Sequence, residues 1–174
     1  MKKLIGSIML VFIISSSFSQ FSKAELQVNG LTCSMCSLAT QKQLQTIEFI
    51  DSIGTDLNKT SYNLYFKDNS DVNNDLIKRK VEDAGFSVGS LVLTASFNNL
   101  TIGKNFHIDY KNATYFLVGD APKIINGEVK LKIADKGFVT DKEFKTYKKY
   151  ASEYPSILTG KTAEGKKAYH MILL

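Results

Sequence analysis

The chain has 174 residues and two cysteines, Cys33 and Cys36, three positions apart in the stretch GLTCSMCS (Gly30 to Ser37). Thiolates are nucleophiles, redox groups and soft metal ligands. Three-residue spacing around a tight loop can bring both sulfurs to one point, so three chemistries are open: holding a metal, exchanging electrons, or closing a small disulfide. Two thiolates make a soft, open site that favours Cu(I), whereas zinc normally takes four ligands in a closed tetrahedron. No histidine or further cysteine lies nearby in sequence to complete one. An exposed two-sulfur site can also take a third ligand from a partner, which permits exchange.

The elements around the pair decide how it is presented. Leu26 and Val28 alternate with Glu25 and Gln27, which predicts a short strand ended by Asn29-Gly30. A helix follows, with Cys36, Ala39, Leu44 and Ile47 near helical spacing. Cys36 falls in its first turn, where the helix dipole stabilises a thiolate. FIDSIGTDL reads as a strand, Asn58-Lys59 as a turn, and SYNLYF as the strand that pairs back. NNDLIKRKVEDAG reads as a second helix, capped by Asn73 or Asn74, with Ile77, Val81 and Ala84 on one face and Gly85 as the left-handed stop. FSVGSLVLTASF is a further strand. The order is strand, helix, strand, strand, helix, strand: the split βαβ plan of an α+β, ferredoxin-like domain over residues 25–97.

Residues 98–174 read as a separate, β-rich unit with one helix. Strands are expected at 106–110, 114–118, 129–135 and 168–173. The helix starts at Thr140, where TDKE forms a capping box with Glu143, and Pro155 ends it. A small OB-like barrel is the expected arrangement. Charge supports the division: residues 25–97 carry 6 basic and 9 acidic side chains, residues 98–174 carry 13 and 8.

The first 24 residues read as a secretory signal peptide: Lys2 and Lys3, an apolar run from Leu4 to Ile14, then small and polar residues. The run is too short for a membrane-spanning helix, which needs about 20 residues. Cleavage after Ser19 or Ala24 leaves an exported chain, periplasmic or secreted, with no membrane span. Without Lys2, Lys3 and Lys23 the net charge of +5 falls to +2. The basic surface of the second unit lacks a nucleic-acid signature, so nucleic acid is not an expected partner.

The stretches GLTCSMCS and VEDAGFSV, with the element order between them, resemble the heavy-metal-associated domain, the module of small copper chaperones and of the N-terminal repeats of copper-transporting ATPases. Gly30, Thr32, Cys33 and Cys36 match its Gly-Met-Thr-Cys-x-x-Cys loop; Leu31 replaces the methionine that packs into the core, at similar volume. Phe86 occupies the place of the residue beside the metal loop. The family's Gly-Val after the first helix reads Glu48-Phe49 here, which leaves the start of the second strand open. The resemblance covers about residues 25–97. It implies that Cys33 and Cys36 bind Cu(I), or another soft or borderline ion such as zinc or mercury, and transfer it by ligand exchange to a copper transporter or other carrier.

The rival reading is a thiol-disulfide redox protein, which an exported location favours. Thioredoxin-like proteins usually carry a tryptophan before the pair and need a facing cis-proline. This chain has no tryptophan, and its only prolines, Pro122 and Pro155, lie outside residues 25–97. A structural Cys33–Cys36 disulfide closes too small a loop to gain much entropy, though it can be the oxidised resting form. His107 is expected to face solvent, and His170 to be packed or solvated with Met171 on the opposite face. Neither is expected to bind metal. No Ser-His-Asp set or phosphate loop stands out along the sequence, and the expectation is a non-enzymatic metal-binding protein.

Overall fold

The computed structural model describes residues 21–174; the expected export segment, apart from its last four residues, lies outside the described residues. The first six elements follow the expected order: β1 (Phe21–Asn29), α1 (Ser34–Leu44), β2 (Ile50–Asp56), β3 (Ser61–Phe66), α2 (Asn74–Asp83) and β4 (Ser87–Thr101). Next come β5 (His107–Tyr110), β6 (Ala113–Leu117), β7 (Ile124–Ile133) and α3 (Asp141–Tyr147). A 3-10 turn (Lys148–Ser152), α4 (Ser156–Thr159) and β8 (Lys167–Leu173) complete the described chain. Among the described residues no helix is long and apolar enough to cross a membrane.

All eight strands lie in one sheet, in the order β2-β3-β1-β4-β7-β8-β6-β5. The first four positions are those of a ferredoxin-like sheet, each strand antiparallel to its neighbour. The strands of residues 98–174 do not form an OB-like barrel. They extend the same sheet, beginning with the antiparallel pairing of β4 and β7 and ending on β5. The cause is the length of β4. It runs for 15 residues, so Val92 to Ala95 pair with β1 on one side and β7 on the other. The expected boundary between residues 97 and 98 falls inside that strand.

The apolar core is equally continuous. Leu26, Leu64, Leu91 and Leu93 from the first half and Tyr115, Leu131, Ile133 and Tyr169 from the second belong to one buried cluster. The second helix lies across both. Asn74 Nδ2 donates to Tyr115 Oη at 3.0 Å, Asp75 pairs with Lys167 at 2.7 Å, and Lys78 sits 5.9 Å from the Phe138 ring. Burial in this wall pushes the Tyr115 hydroxyl above its usual range.

Local signals account for most element ends. Asn73 caps α2, its Oδ1 accepting from Leu76 N–H at 3.0 Å, and Gly85 (φ +88°) turns the chain out. Thr140 and Glu143 form the expected capping box of α3. Pro155, expected to end that helix, stands at the start of α4. β1 begins four residues before the expected Glu25. Phe21 is buried, paired with Ala95, and its ring lies 5.2 Å from both Tyr110 and Tyr115.

The expected face of α1 is corrected. Its buried residues are Ser37, Thr40 and Leu44, with Ala39 exposed and Cys36 half-buried. Leu44 and Ile47 are buried as expected, but in the first two turns burial falls on Ser37 and Thr40, one residue, or about 100°, on from Cys36 and Ala39. The observed rotation leaves Cys33 exposed at the helix start, and side-chain hydrogen bonds make the polar face affordable.

Candidate metal centre

The loop between β1 and α1 is shaped by its backbone. Gly30 has φ +89°, a conformation side chains rarely adopt, and a Cβ there would also press to 3.4 Å from the Phe86 ring. Phe86 follows the Gly85 turn after α2, so the two loops meet where the family resemblance places them. Leu31 is partly buried against the core, as expected for the position of the family's methionine.

Cys33 is the N-cap of α1. Its Sγ accepts from the Cys36 backbone N–H at 3.2 Å, taking the place an Asp, Ser or Thr oxygen usually fills. No acidic residue stands in the first turn to oppose a thiolate. The hydrogen bond from the Cys36 side chain, reinforced by the Cys36 N–H, lowers the Cys33 pKa from its ordinary value. The same contact, together with desolvation and the neighbouring negative charge, raises that of Cys36. Of the two, Cys33 is therefore the sulfur that ionises more readily.

Beneath the loop, hydrogen bonds replace apolar packing. Ser37 Oγ and Tyr62 Oη lie 2.9 Å apart, Tyr62 Oη donates to the Ser37 carbonyl at 2.9 Å, and Thr40 Oγ1 donates to the Cys36 carbonyl at 3.1 Å. Tyr62, on β3, is fully buried, so it ties the first turn of the helix to the sheet. Across the loop, Asp56 Oδ1 accepts from the backbone N–H groups of Asn58 and Lys59, which confirms the expected turn there. That turn brings Leu57 and Thr60 beside Leu31, Cys33 and Ser37 around a hollow of about 220 Å³. Met35 and Leu38, on α1 beside the pair in sequence, and Leu57, on the same hollow as Cys33, are exposed apolar side chains.

Both sequence-predicted site residues thus come together at one open end of the sheet. Among the described residues no group of three or more Cys, His, Asp or Glu side chains forms a metal cluster. Cys33 is exposed and Cys36 half-buried, so solvent reaches the pair. His107 is exposed on β5, as expected. His170 is fully buried on β8, away from Met171, which packs in the main core. Sequence reasoning found no Ser-His-Asp set, but the fold builds one. His170 Nδ1 lies 2.7 Å from Asp135 Oδ1, and His170 Nε2 lies 2.8 Å from Ser156 Oγ. No spacing signal could have found it, because the three residues come from three separate segments.

No family model matches the chain, and no curated protein matches it. Solved structures do. Apo-CopP from Helicobacter pylori is 33% identical, covering 38% of this chain and 97% of that one, at a TM-score of 0.33. The yeast copper transporter domain CCC2A, solved in apo and Cu(I)-loaded states, is 28% identical over 37% of this chain and 88% of its own, at 0.34. The CopZ metallochaperone is 27% identical over 38% and 98%, at 0.36. The similarity spans less than two-fifths of this chain, so the TM-scores support no comparison of the whole fold. Residues 25–97, by the GLTCSMCS loop and the order and pairing of their strands, resemble the heavy-metal-associated domain of copper chaperones.

Proposed function

We propose that this protein binds one Cu(I) ion through Cys33 and Cys36 and hands it to a copper transporter or another metal carrier. The observation that carries the reading is the Cys33 cap: a solvent-exposed sulfur that accepts the Cys36 N–H, with its pKa lowered, the second sulfur three residues on and no cluster of three or more ligating side chains among the described residues. Cu(I) is the best match to two soft ligands. An incoming thiolate can complete a three-sulfur intermediate, after which either original sulfur can leave, so transfer needs no redox step. The exposed apolar side chains of Met35, Leu38 and Leu57 are suited to a partner's surface. The loop's role is binding and exchange, not covalent catalysis.

The test is titration of reduced protein with Cu(I) and Zn(II) against competing chelators. One Cu(I) per chain, held more tightly than zinc and lost in a Cys33→Ser, Cys36→Ser double variant, is expected. Full binding by that variant would sink the reading. The opposite pKa shifts of the two sulfurs also suit the redox alternative, with Cys33 attacking and Cys36 resolving. Rapid catalytic reduction of insulin by the pair would favour it.

The proposed location is outside the cytoplasm, after removal of the signal segment. Cleavage after Ser19 leaves β1 whole. Cleavage after Ala24 would remove Phe21 and Ala24 from the core and four residues from a central strand. Intact-mass measurement of the exported chain is expected to give a first residue of Gln20.

A further inference from the structure

The Asp135–His170–Ser156 set lies in the half of the molecule that the metal reading leaves unused. Its hydrogen bonds define the roles. Asp135 uses both carboxylate oxygens on His170: Oδ1 meets the ring Nδ1 at 2.7 Å and Oδ2 accepts from the backbone N–H at 2.7 Å. A carboxylate only accepts, so Nδ1 carries the proton and Nε2 is left as the acceptor. Ser156 Oγ, 2.8 Å away, therefore donates its proton to Nε2. The imidazole is also held in place, stacked on Phe116 at 13° and edge-on to Tyr154. Asp135 and His170 are buried at 7% and 0% exposure.

A histidine satisfied only for packing needs no route to solvent. Here the third member supplies one. Ser156 is partly exposed and lines an open hollow of about 780 Å³ on the His170 side of the sheet. Phe116, Tyr154 and Pro155 give that hollow an apolar wall, while Lys161 and Glu164 bring charges of both signs. Nucleophile, base and orienting carboxylate at hydrogen-bond distances, with the nucleophile facing a cavity, form the arrangement of serine acyl transfer.

We propose that Ser156 is an activated nucleophile that cleaves small, uncharged carboxylic esters in this hollow. Ser156 Oγ attacks the ester carbonyl as its proton moves to His170 Nε2. The acyl C–O bond breaks, and the alcohol leaves with that proton. Water, deprotonated in turn by His170, then attacks the acyl-serine, releasing the carboxylic acid and restoring the hydroxyl. The Ile157 and Leu158 N–H groups are occupied by the carbonyls of Tyr154 and Pro155. Lys161, on the hollow's wall, is therefore the group assigned to the carbonyl oxygen as charge develops. Asp135 is a positioning residue that acts through His170.

The full chain is treated with a fluorophosphonate, which exchanges its P–F bond for a P–O bond to an activated serine, and is assayed separately with p-nitrophenyl butyrate. One adduct per chain, mapped to Ser156, and ester turnover above buffer are expected. Ser156→Ala, a change of one hydroxyl, should abolish both. Asp135→Asn should lower kcat at least about 100-fold with KM little changed, because an amide supplies one acceptor where the carboxylate supplies two, and its NH2 facing Nδ1 would select the other tautomer. His170→Gln should slow labelling by a similar factor. No adduct on Ser156, equal labelling or turnover in Ser156→Ala, or labelling without turnover would overturn the proposal.

Discussion

The dithiol loop and the buried Asp135–His170–Ser156 set stand in opposite relations to the fold. The loop keeps its chemistry in four consecutive residues, exposed at Cys33 and half-buried at Cys36, and shaped by one glycine and one helix cap. The buried set draws its members from the chain after β7, from β8 and from α4, and every one is hydrogen-bonded to another. A site carried by backbone conformation can lose its side chains with little cost to folding. A site assembled in the interior is part of the stability it depends on.

The harshest way to break this contrast is to remove the second half. A chain ending at Phe97 keeps the whole loop but strips β7 from β4, and Tyr115, Phe138 and Tyr169 from the shared core. The truncated protein is expected to lose its cooperative thermal transition and its Cu(I) site with it. A folded truncation holding Cu(I) within tenfold of the full chain would show that the loop stands on its own half. Next in size is Asp135→Ala, which strands the His170 ring and backbone N–H groups in the interior. It should cost about 3 kcal/mol in chemical denaturation, whereas the Cys33→Ser, Cys36→Ser variant should stay within about 1 kcal/mol. Serine remains a competent helix cap.

Tyr62→Phe probes the hydrogen-bonded tie between the first turn of α1 and the sheet. It removes a hydroxyl that is hydrogen-bonded to both the side chain and the carbonyl of Ser37, at an expected cost of about 1 kcal/mol. Cu(I) affinity should fall by less than tenfold. A larger loss would mean that the loop is braced by the core after all. The smallest effect is in thiol reactivity. With the Cys33 pKa lowered and that of Cys36 raised, Cys33 alkylation should reach its plateau at a lower pH than Cys36 alkylation. Cys36→Ala removes the side-chain hydrogen bond that lowers the Cys33 pKa most, so the Cys33 profile should move to higher pH. An unmoved profile would assign the shift to the backbone cap alone.

The same contrast explains what could be read from the sequence. GLTCSMCS is contiguous, so type and spacing alone marked Cys33 and Cys36 as a possible two-thiolate site, and the alternation in β1 and β3 with the caps of α2 and α3 located those elements. The face of α1 was misread because Ser37 and Thr40 are polar residues buried by hydrogen bonding to Tyr62 and to the helix backbone, which hydrophobic periodicity does not register. Charge and composition change near residue 97, but β4 runs on through that point to Thr101, and a backbone pairing leaves no mark in composition. Alternation marked the later strands but not which neighbours they pair with. His170 sits between buried Tyr169 and Met171 in a strand with interior on both faces, and its partners lie 14 and 35 residues away. A buried imidazole requires partners, but nothing local names them.

The length of β4 also bears on how the molecule opens. From Val92 to Ala95 this strand has a hydrogen-bonded neighbour on each side, so its amides cannot be released by fraying either edge of the sheet. In deuterated water, these amides should exchange at the rate set by global unfolding, and all together. The cysteine loop and the segment around Ser156 should exchange far earlier, through separate local openings. Each site can therefore breathe to admit or release its ligand while β4 keeps the rest of the chain closed.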